Sequence, residues 1–277
     1  MLLIRNKPLR LLGGALETFS FLSLKLFLRN RAQWSRFSGK VFREYMSLVE
    51  QERWRSAPLE AILPGVCGQR IVLEHLAGEG INAPIDELAY LALITAAMQP
   101  RAIFEIGTFR GRTALNFALN SPPACRIYTL DLPPAIRDEF KQKTNVADAQ
   151  LIELGLTGID YQGKPGSEKI TQLLGNSLTF DFSPYHGRMD LVFVDGAHHH
   201  EAALSDTRQA IKMLAPGGLI VWHDFANYGD YNDVTRAILE VLPAQEIIQI
   251  ANSQLAVYRH APSAERSERA GSGMFFL

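Results

Sequence analysis

Short apolar runs alternate with amphipathic stretches along most of the chain after Pro84. In the first amphipathic stretch Ile85, Leu88, Leu91 and Ile94 recur at helical spacing. Strand–helix alternation of this kind predicts a doubly wound α/β fold, a mostly parallel sheet with helices on both faces. The predicted strands are 102–106, 126–130, 170–174, 191–194 and 219–222, and the predicted helices between and after them are 112–119, 135–143, 200–214 and 232–242.

The end of the alternation closes the predicted sheet. The apolar runs 247–250 and 255–258 flank Asn252-Ser253, which predicts a hairpin with an antiparallel member and brings the sheet to seven strands. Residues 144–168 lack periodicity, so a long loop is predicted on the ligand side. Residues 261–277 are mostly Ser, Glu, Arg and Gly and predict a disordered tail.

The first 82 residues lie outside this pattern and predict a basic, mainly helical extension and connector before a domain at 83–260. Residues 1–56 hold 11 Lys/Arg and 4 Asp/Glu, which gives a formal charge of +7. The rest of the chain holds 17 Lys/Arg and 25 Asp/Glu, which gives −8. The apolar stretch 11–28 carries Glu17 and Lys25, which disfavours a membrane span. Two hypotheses remain for 1–56: packing on protein, including a second copy of the chain, or peripheral contact with an anionic membrane.

Composition narrows the class of protein. An apolar fraction of 47% and a charged fraction of 21% are those of a globular protein. Nucleic acid is not an expected partner, because no basic patch interleaved with aromatic residues follows residue 56. Cys67 and Cys125 are the two cysteines and form neither a disulfide framework nor a zinc motif, which favours a cytoplasmic location.

A glycine-containing turn follows the first predicted strand. Glu105-x-Gly107-x-x-x-Gly111 leads into a helix, and open α/β sheets bind ligands at such a turn. Glycines used only for packing and a nucleotide-binding dehydrogenase are the alternatives. Glu105 disfavours a pyrophosphate and suits a ligand with a cation. Asp131 ends the next strand, where it could accept two ribose hydroxyls or simply start the turn before Pro133-Pro134.

Together these residues resemble the first two motifs of class I S-adenosylmethionine-dependent methyltransferases. Further motifs resemble a bacterial subgroup that includes macrolide-sugar O-methyltransferases and cephalosporin-hydroxylase-like proteins: Gly175-Asn176-Ser177, Val194-Asp195-Gly196-Ala197-His198, Pro216-Gly217-Gly218 and His223-Asp224-Phe225. The resemblance covers about residues 84–260 and implies a Rossmann-like methyltransferase fold that binds S-adenosylmethionine. The residues it assigns to the cofactor are Glu105, Gly107, Thr108, Gly111, Thr113, Asp131, Asn176, Ser177 and Asp195.

Two acids mark the chemical end of the predicted site. Asp195 and Asp224 end strands that we expect to be neighbours, and two carboxylates in one pocket repel each other unless a cation or proton lies between them. Hard oxygen ligands suit Mg²⁺ or another divalent cation, so both acids are candidate metal ligands. In catechol-type O-methyltransferases an amide follows the second acid, whereas this chain has Phe225 there. Asp195 and His198 are the expected catalytic residues, with His198 as a base or a metal ligand.

Three functional hypotheses follow. The first is O-methylation of a hydroxyl on a sugar, glycolipid or secondary metabolite, so the expected partner is a small-molecule or glycan acceptor. The second is a membrane-associated protein that binds the cofactor without transfer. The third is an NAD-dependent oxidoreductase. His199, His200 and His223 lie close to His198 in sequence and compete with it for the role of base or ligand.

Overall fold

The computed structural model describes residues 54–76, 83–136, 156–227 and 232–260. Most of the basic extension, the larger part of the predicted helix 135–143, the beginning of the predicted loop 144–168 and the predicted tail lie outside the described residues. Within the described residues no helix has both the length and the apolar character needed to cross a membrane.

The described elements follow the predicted alternation. The helices are α1 (Leu59–Ile62), α2 (Ile85–Met98), α3 (Arg112–Asn120), α4 (His200–Met213) and α5 (Asn232–Val241). The strands are β1 (Arg55–Ala57), β2 (Ala102–Ile106), β3 (Arg126–Asp131), β4 (Ile170–Leu174), β5 (Met189–Val194), β6 (Leu214–Trp222), β7 (Ile248–Ile250) and β8 (Ala256–Arg259). Pro84 immediately precedes α2, where its fixed backbone angle suits the start of a helix.

One mixed sheet, mostly parallel, carries the fold in the order β1-β7-β8-β6-β5-β2-β3-β4. The predicted fold class is confirmed, and so is the terminal hairpin, because β8 runs antiparallel to both β6 and β7. The sheet has eight strands rather than seven, since β1 pairs in parallel with β7. The sequence pattern gave no sign of β1 because it is three residues long and two of them are exposed.

The core lies on both faces of the central strands. On one face Ile103 of β2 and Phe193 of β5 are completely buried in one core cluster. On the other face Phe104 of β2, Val192 of β5 and Ile220 of β6 are completely buried as well. Burial on both faces explains why these strands are continuous apolar runs instead of alternating ones. The carboxyl ends of β2, β3, β5 and β6 meet at one edge of the sheet, which is where a ligand is expected in a doubly wound fold.

Part of the predicted connector is built into this domain. Leu59 and Val66 are buried in the same core as the central strands. The extended segment 71–76 lies along α3, where the Asn120 amide exchanges two hydrogen bonds of 2.8 Å with the backbone of Val72. Arg112, at the first turn of α3, donates to the carbonyl of His75 at 2.8 Å. This segment therefore braces the helix that begins at the glycine turn.

Candidate active site

Gly107 lies where the ends of β2 and β5 nearly touch. Its φ is +99°, and a Cβ atom at this position would come within 1.9 Å of the Asp195 carbonyl oxygen. Its amide donates to the Leu130 carbonyl of β3 at 2.9 Å. A glycine is needed here for two reasons, the left-handed backbone and the close approach of another chain segment. Close packing alone therefore accounts for this glycine, and the approach also brings Asp195 beside the turn.

Gly111 begins α3 and is covered by a turn formed by residues 156–163. Its φ is +85°, and an added Cβ would lie 2.4 Å from the Tyr161 ring. The same turn is fastened to the loop between the two glycines: the Gly158 amide donates to the Phe109 carbonyl at 2.8 Å, and Arg110 pairs with Asp160 at 2.9 Å. The described end of the long predicted loop thus lies on the glycine turn, on the side of the sheet where it was expected.

Asp131 ends β3 and faces the glycine turn. Its Oδ2 accepts hydrogen bonds from the Phe109 amide at 3.0 Å and from the Thr157 hydroxyl at 3.2 Å. Its Oδ1 accepts from the Leu132 amide at 2.7 Å, which is the local turn contact. The side chain therefore starts the turn, as one interpretation predicted, and is held beside the glycine turn; ribose binding by Asp131 stays a prediction.

Glu105 is completely buried. Its Oε2 accepts a short hydrogen bond from the Thr129 hydroxyl, whereas its Oε1 has no hydrogen-bond partner. Burial raises the pKa of Glu105 well above its usual range; the Thr129 hydrogen bond opposes this, and the charges of Asp195 and Asp131 add to it. A buried carboxylate with one unpaired oxygen and two acids nearby would be stabilised by a cation supplied by a ligand.

The remaining residues that the resemblance assigns to the cofactor differ in their burial and in their hydrogen bonds. Thr108 is buried, and its hydroxyl lies 2.7 Å from that of Thr129. Thr113 lies half-buried in the first turn of α3. The Asn176 side chain accepts a hydrogen bond from the Leu178 amide at 3.0 Å and so stabilises its own turn. Ser177 is half-buried.

Asp206 of α4 lies close to Ser177 and is buried, with only 1% of its surface exposed. Neither of its oxygens has a hydrogen bond of normal geometry. Burial raises the pKa of Asp206 to about 7, and the nearby Ser177 hydroxyl only partly opposes this shift. An added Cβ on Gly196 would lie 3.0 Å from Asp206 Oδ2. A signal was present in the sequence, because Asp206 shares a helix face with Ala203 and Ala210, three residues before it and four after it.

The two acids at the ends of β5 and β6 lie together, as expected. Asp195, His198 and Asp224 each present one potential ligand atom, and these atoms all lie within 4.8 Å of one another. His198 Nε2 is 2.9 Å from Asp224 Oδ2, and the imidazole is 8% exposed. The structure therefore brings His198 to the acids and leaves its ring beside the sheet edge.

His223 lies between the carboxylates. Its Nδ1 is 2.8 Å from Asp224 Oδ2 and 3.3 Å from Asp195 Oδ1, and its Nε2 is 2.8 Å from Glu87 Oε2. Burial lowers the pKa of His223, but the charges of Asp195 and Asp224 and hydrogen bonds to them outweigh burial and raise the pKa well above its usual value. Because both ring nitrogens face carboxylate oxygens, both donate, and His223 is an imidazolium.

This imidazolium explains how two acids share one pocket. Burial would raise the pKa of Asp224, but the charge of His223 and the hydrogen bonds from His198 and His223 lower it instead. Asp224 also adopts a φ of +56°, an uncommon backbone conformation for a residue with a side chain. Its Oδ1 accepts a hydrogen bond from the Asn227 amide at 2.9 Å. The side-chain amide near the second acid is therefore Asn227, three residues beyond Asp224.

Phe225, which stands where the catechol-type enzymes have an amide, is a core residue. It is completely buried and packs edge-on against Trp54 with a centroid distance of 4.8 Å. His199 precedes α4, and its buried Nδ1 has no hydrogen-bond partner. His200 Nε2 lies 3.1 Å from Glu240 on α5. Of the four histidines, His198 and His223 contact the acids.

Glu87 was missed by the sequence analysis. It lies on α2 and is 2% exposed; its Oε1 accepts from the Gln254 amide at 2.6 Å and its Oε2 contacts His223. A signal was present in the sequence, because Glu87 shares a helix face with Leu91 and Ile94, four and seven residues further on. An acid within an apolar stripe needs a buried partner, and here that partner is His223.

Comparison with known proteins adds the following. Residues 104–225 match the family model of a methyltransferase domain. A caffeoyl-CoA O-methyltransferase from Populus kitakamiensis is 25% identical over 158 residues, 54% of this chain and 57% of the relative, so the chain spans little more than half of that relative's length. The O-methyltransferase TomG from Streptomyces achromogenes, solved with SAM, is 19% identical, with 77% of this chain and 99% of that chain covered and a TM-score of 0.45. An O-methyltransferase from Bacillus cereus, solved with SAH, is 16% identical, with 79% and 96% covered and a TM-score of 0.42.

Proposed function

We propose that this chain, whose residues 104–225 match the family model of a methyltransferase domain, is an S-adenosylmethionine-dependent O-methyltransferase. The observation that supports this most is the arrangement of charged groups at one edge of the sheet. Glu105 is buried with one unpaired oxygen, and the charge of Asp195 raises its pKa. His198 and Asp224 lie together with the same Asp195. Glu105 suits a cationic cofactor, and the pair of His198 and Asp224 suits removal of a proton.

The residues at this edge fit the cofactor. Glu105 would face its cationic part, because its Oε1 is buried without a partner. Asp131 would hold the ribose at the end of β3, and Gly107 and Gly111 would allow the backbone to approach the ligand. Thr108 and Thr113 would line the turn, and Asn176 and Ser177 would lie near the adenine. When bound, the cofactor supplies an electrophilic methyl group on a sulfonium.

His198 is the proposed base. Asp224 Oδ2 lies 2.9 Å from its Nε2, so the carboxylate orients the imidazole and would stabilise the positive charge that the ring gains when it takes a proton. His198 would take the proton of the acceptor hydroxyl as the oxygen attacks the methyl group. Asp195 and the other groups of the edge would align the acceptor, and alignment is the main contribution that an enzyme makes to such a displacement.

A divalent cation is a further part of the proposal. The potential ligand atoms of Asp195, Asp224 and His198 lie within 4.8 Å of one another. The two carboxylates suit Mg²⁺ or a similar ion, whereas the His198 imidazole suits a divalent transition-metal ion. Those residues would hold it, and a bound ion would lower the pKa of the acceptor hydroxyl. His198 then has one of two roles, ligand or base. Activity lost in chelator and restored by a divalent cation would support a bound ion, and weaker binding of that ion by His198→Gln, measured by calorimetry, would assign the ligand role. Unchanged turnover in chelator would favour the base role.

The direct test is a screen of hydroxyl-bearing acceptors with methyl-labelled S-adenosylmethionine. We propose sugars, glycolipids and secondary metabolites as the acceptor class, with the 156–163 turn and the N-terminal residues as the regions that recognise them. Label on an acceptor oxygen in wild type, and at least about 100-fold less label with His198→Gln, would support the proposal. Cofactor binding without transfer to any acceptor would favour the second hypothesis, a cofactor-binding protein.

Calorimetry separates the cofactor hypotheses. Wild type should bind S-adenosylmethionine, and Asp131→Asn should weaken binding about 10-fold while keeping the size of the side chain. Preferential uptake of NAD would favour the oxidoreductase instead, and no uptake of either would overturn both.

Two proposals concern the basic residues 1–56, most of which precede Gln51. Their positive charge suits an anionic membrane surface, and their apolar residues suit contact with a second copy of the chain. Sedimentation with vesicles that contain phosphatidylserine, compared for the whole chain and a chain that starts at Gln51, tests the first. Light scattering on the same two proteins tests the second. Equal behaviour of both proteins would contradict each proposal.

A further inference from the structure

A line of hydrogen-bonding side chains runs across three neighbouring strands to Glu105. In the register of the sheet, Glu105 on β2 lies opposite Thr129 on β3, and Thr129 lies opposite Gln172 on β4. Residues that are opposite one another in adjacent strands point to the same face of a sheet. Thr108, just beyond β2, and Tyr161, in the 156–163 turn, complete the line.

The direction of every hydrogen bond in this line follows from its chemistry. The Gln172 amide nitrogen has three acceptors, the Thr108 hydroxyl at 3.0 Å and the carbonyls of Thr129 at 3.0 Å and Leu173 at 2.9 Å. Its carbonyl oxygen therefore accepts from the Tyr161 hydroxyl at 2.6 Å. Burial, with smaller effects of Glu105 and Asp131, raises the pKa of Tyr161 to about 12, so this hydroxyl keeps its proton.

The threonines continue in the same direction. A hydroxyl has one proton to give. Thr108 accepts from Gln172 and so donates to the Thr129 oxygen 2.7 Å away, and Thr129 donates to Glu105 Oε2. All the donors thus point toward one carboxylate oxygen. Thr129 is completely buried and Thr108 is 4% exposed, so water does not replace these contacts.

The result is a carboxylate held by one oxygen only. Glu105 Oε2 is fixed by Thr129, and Glu105 Oε1 is buried with no hydrogen-bond partner. Among the ion pairs of the described residues none involves Glu105. An ionised, buried carboxylate with an unpaired oxygen beside two further acids is costly, so Glu105 holds a proton more readily than an ordinary glutamate and ionises when a bound cation completes it. The arrangement is therefore built for a positively charged ligand group.

We propose that Thr129, Thr108 and Gln172 are positioning residues that hold Glu105 with its free oxygen directed at the cationic part of the cofactor. The inference rests on the proposed function, because it takes the ligand of this edge to be S-adenosylmethionine. Tyr161 links the line to the turn that covers Gly111, so the position of that turn and the orientation of Glu105 are connected through one set of hydrogen bonds.

The test compares three ligands that share an adenosine but differ in charge. S-adenosylmethionine carries a sulfonium and an ammonium, S-adenosylhomocysteine carries the ammonium alone, and methylthioadenosine carries neither. Thr129→Val removes the hydroxyl and keeps the shape of the side chain. Its Kd for S-adenosylmethionine, measured by calorimetry, should rise about 10-fold or more, the effect of a hydrogen bond to a charged group. Its Kd for methylthioadenosine should stay within about 2-fold of wild type.

S-adenosylhomocysteine then separates the two cations. A loss as large as that for S-adenosylmethionine assigns Glu105 to the ammonium, and a much smaller loss assigns it to the sulfonium; either result supports the proposal. Thr129→Ser, which restores the hydroxyl, should recover most of the affinity. Thr95→Val is the matched control, because Thr95 is an equally buried threonine whose hydroxyl bonds to the Leu91 carbonyl of α2.

Two results would overturn the inference. The first is an equal loss of affinity for all three ligands in Thr129→Val, which would mean that Thr129 only maintains the fold. The second is an unchanged Kd for S-adenosylmethionine. Should Thr129→Val fail to fold, Thr108→Val breaks the next bond in the line and is judged by the same two criteria. A wild-type protein that binds none of the three ligands would instead contradict the proposed function.

Discussion

At the scale of single residues, Gly107 is constrained both by its backbone conformation and by a close contact with Asp195, and two substitutions can separate these effects. Its φ of +99° disfavours any side chain, and a Cβ would overlap the Asp195 carbonyl oxygen at 1.9 Å. Gly107→Ala should lower the free energy of unfolding by more than about 3 kcal/mol, because backbone strain of about 1–2 kcal/mol is joined by overpacking. Chemical denaturation would measure this loss.

The control for that prediction is Gly68→Ala. Gly68 is exposed and has a φ of +79°, and an added Cβ would meet nothing within 4 Å. This substitution should cost only the strain, about 1–2 kcal/mol. Equal losses for the two variants would show that the approach of β5 to the glycine turn contributes nothing.

Asp206 gives a residue-scale prediction about pH. Burial raises the pKa of its carboxyl to about 7, above the unfolded value of about 4. Below about pH 4 both states hold the proton; between about pH 4 and 7 only the folded state holds it, so the free energy of unfolding falls as pH rises and levels off above about pH 7. Asp206→Asn removes this dependence. The stability of the variant relative to wild type should therefore increase from about pH 5 to about pH 8.5, by at most about 3 kcal/mol.

Urea unfolding of both proteins at the two pH values measures that difference. Asp190→Asn is the control, because hydrogen bonds and the charge of Arg101 outweigh burial and lower the pKa of Asp190. Its contribution is lost only as pH falls through that lowered pKa, so its effect should be constant across the same range. A constant difference for Asp206→Asn as well would contradict the assignment of a raised pKa to Asp206.

At the scale of elements, the central part of the fold could be predicted because long apolar runs are stable only as buried central strands of the sheet. Strands β2 and β4 begin and end where the sequence pattern put them, and the terminal hairpin forms as expected. The parts that escaped prediction depend on partners far away in the chain. Strand β1 forms because it pairs with the edge strand β7. Glu87 is buried because His223 and the Gln254 amide, from other elements, contact its carboxylate. The approach of Asp195 and Asp224 followed from strand adjacency, but the position of His223 between them did not.

Glu87 ties α2 to the end of β6 and to the hairpin between β7 and β8. Glu87→Gln keeps the shape but removes the charge that faces the His223 imidazolium at 2.8 Å. Loss of one partner from a buried ion pair costs about 3–5 kcal/mol, and we expect a decrease in the free energy of unfolding toward the lower end because Asp195 and Asp224 still face His223. Urea unfolding measures this change.

Asp86→Asn is the matched control for Glu87, an acid-to-amide change at the neighbouring, exposed position of the same helix. Its effect should stay within about 0.5 kcal/mol. Should the two variants lose the same stability, the contact between Glu87 and His223 would not be what holds α2 to the sheet edge.

At the scale of the whole molecule, the domain that contains the sheet begins before Trp54. The compact unit that contains the sheet begins at Gln51. Trp54 is 5% exposed, donates from Nε1 to Gln249 at 3.0 Å and packs against Phe225, the residue after Asp224. Strand β1 follows it and forms one edge of the sheet. The first residues after the extension therefore support the acid cluster from behind.

Two truncations test this boundary. A chain that starts at Gln51 keeps Trp54 and β1 and should match the whole chain in cofactor affinity. A chain that starts at Pro58 loses both, and burial of the tryptophan alone is worth about 4 kcal/mol, so its thermal midpoint should fall by many degrees. Trp54→Ala in the whole chain separates the two losses, because it removes the ring and keeps the strand. If the chain from Pro58 were as stable as the chain from Gln51, β1 and Trp54 would belong functionally to the extension, and the contact with Phe225 would not support Asp224.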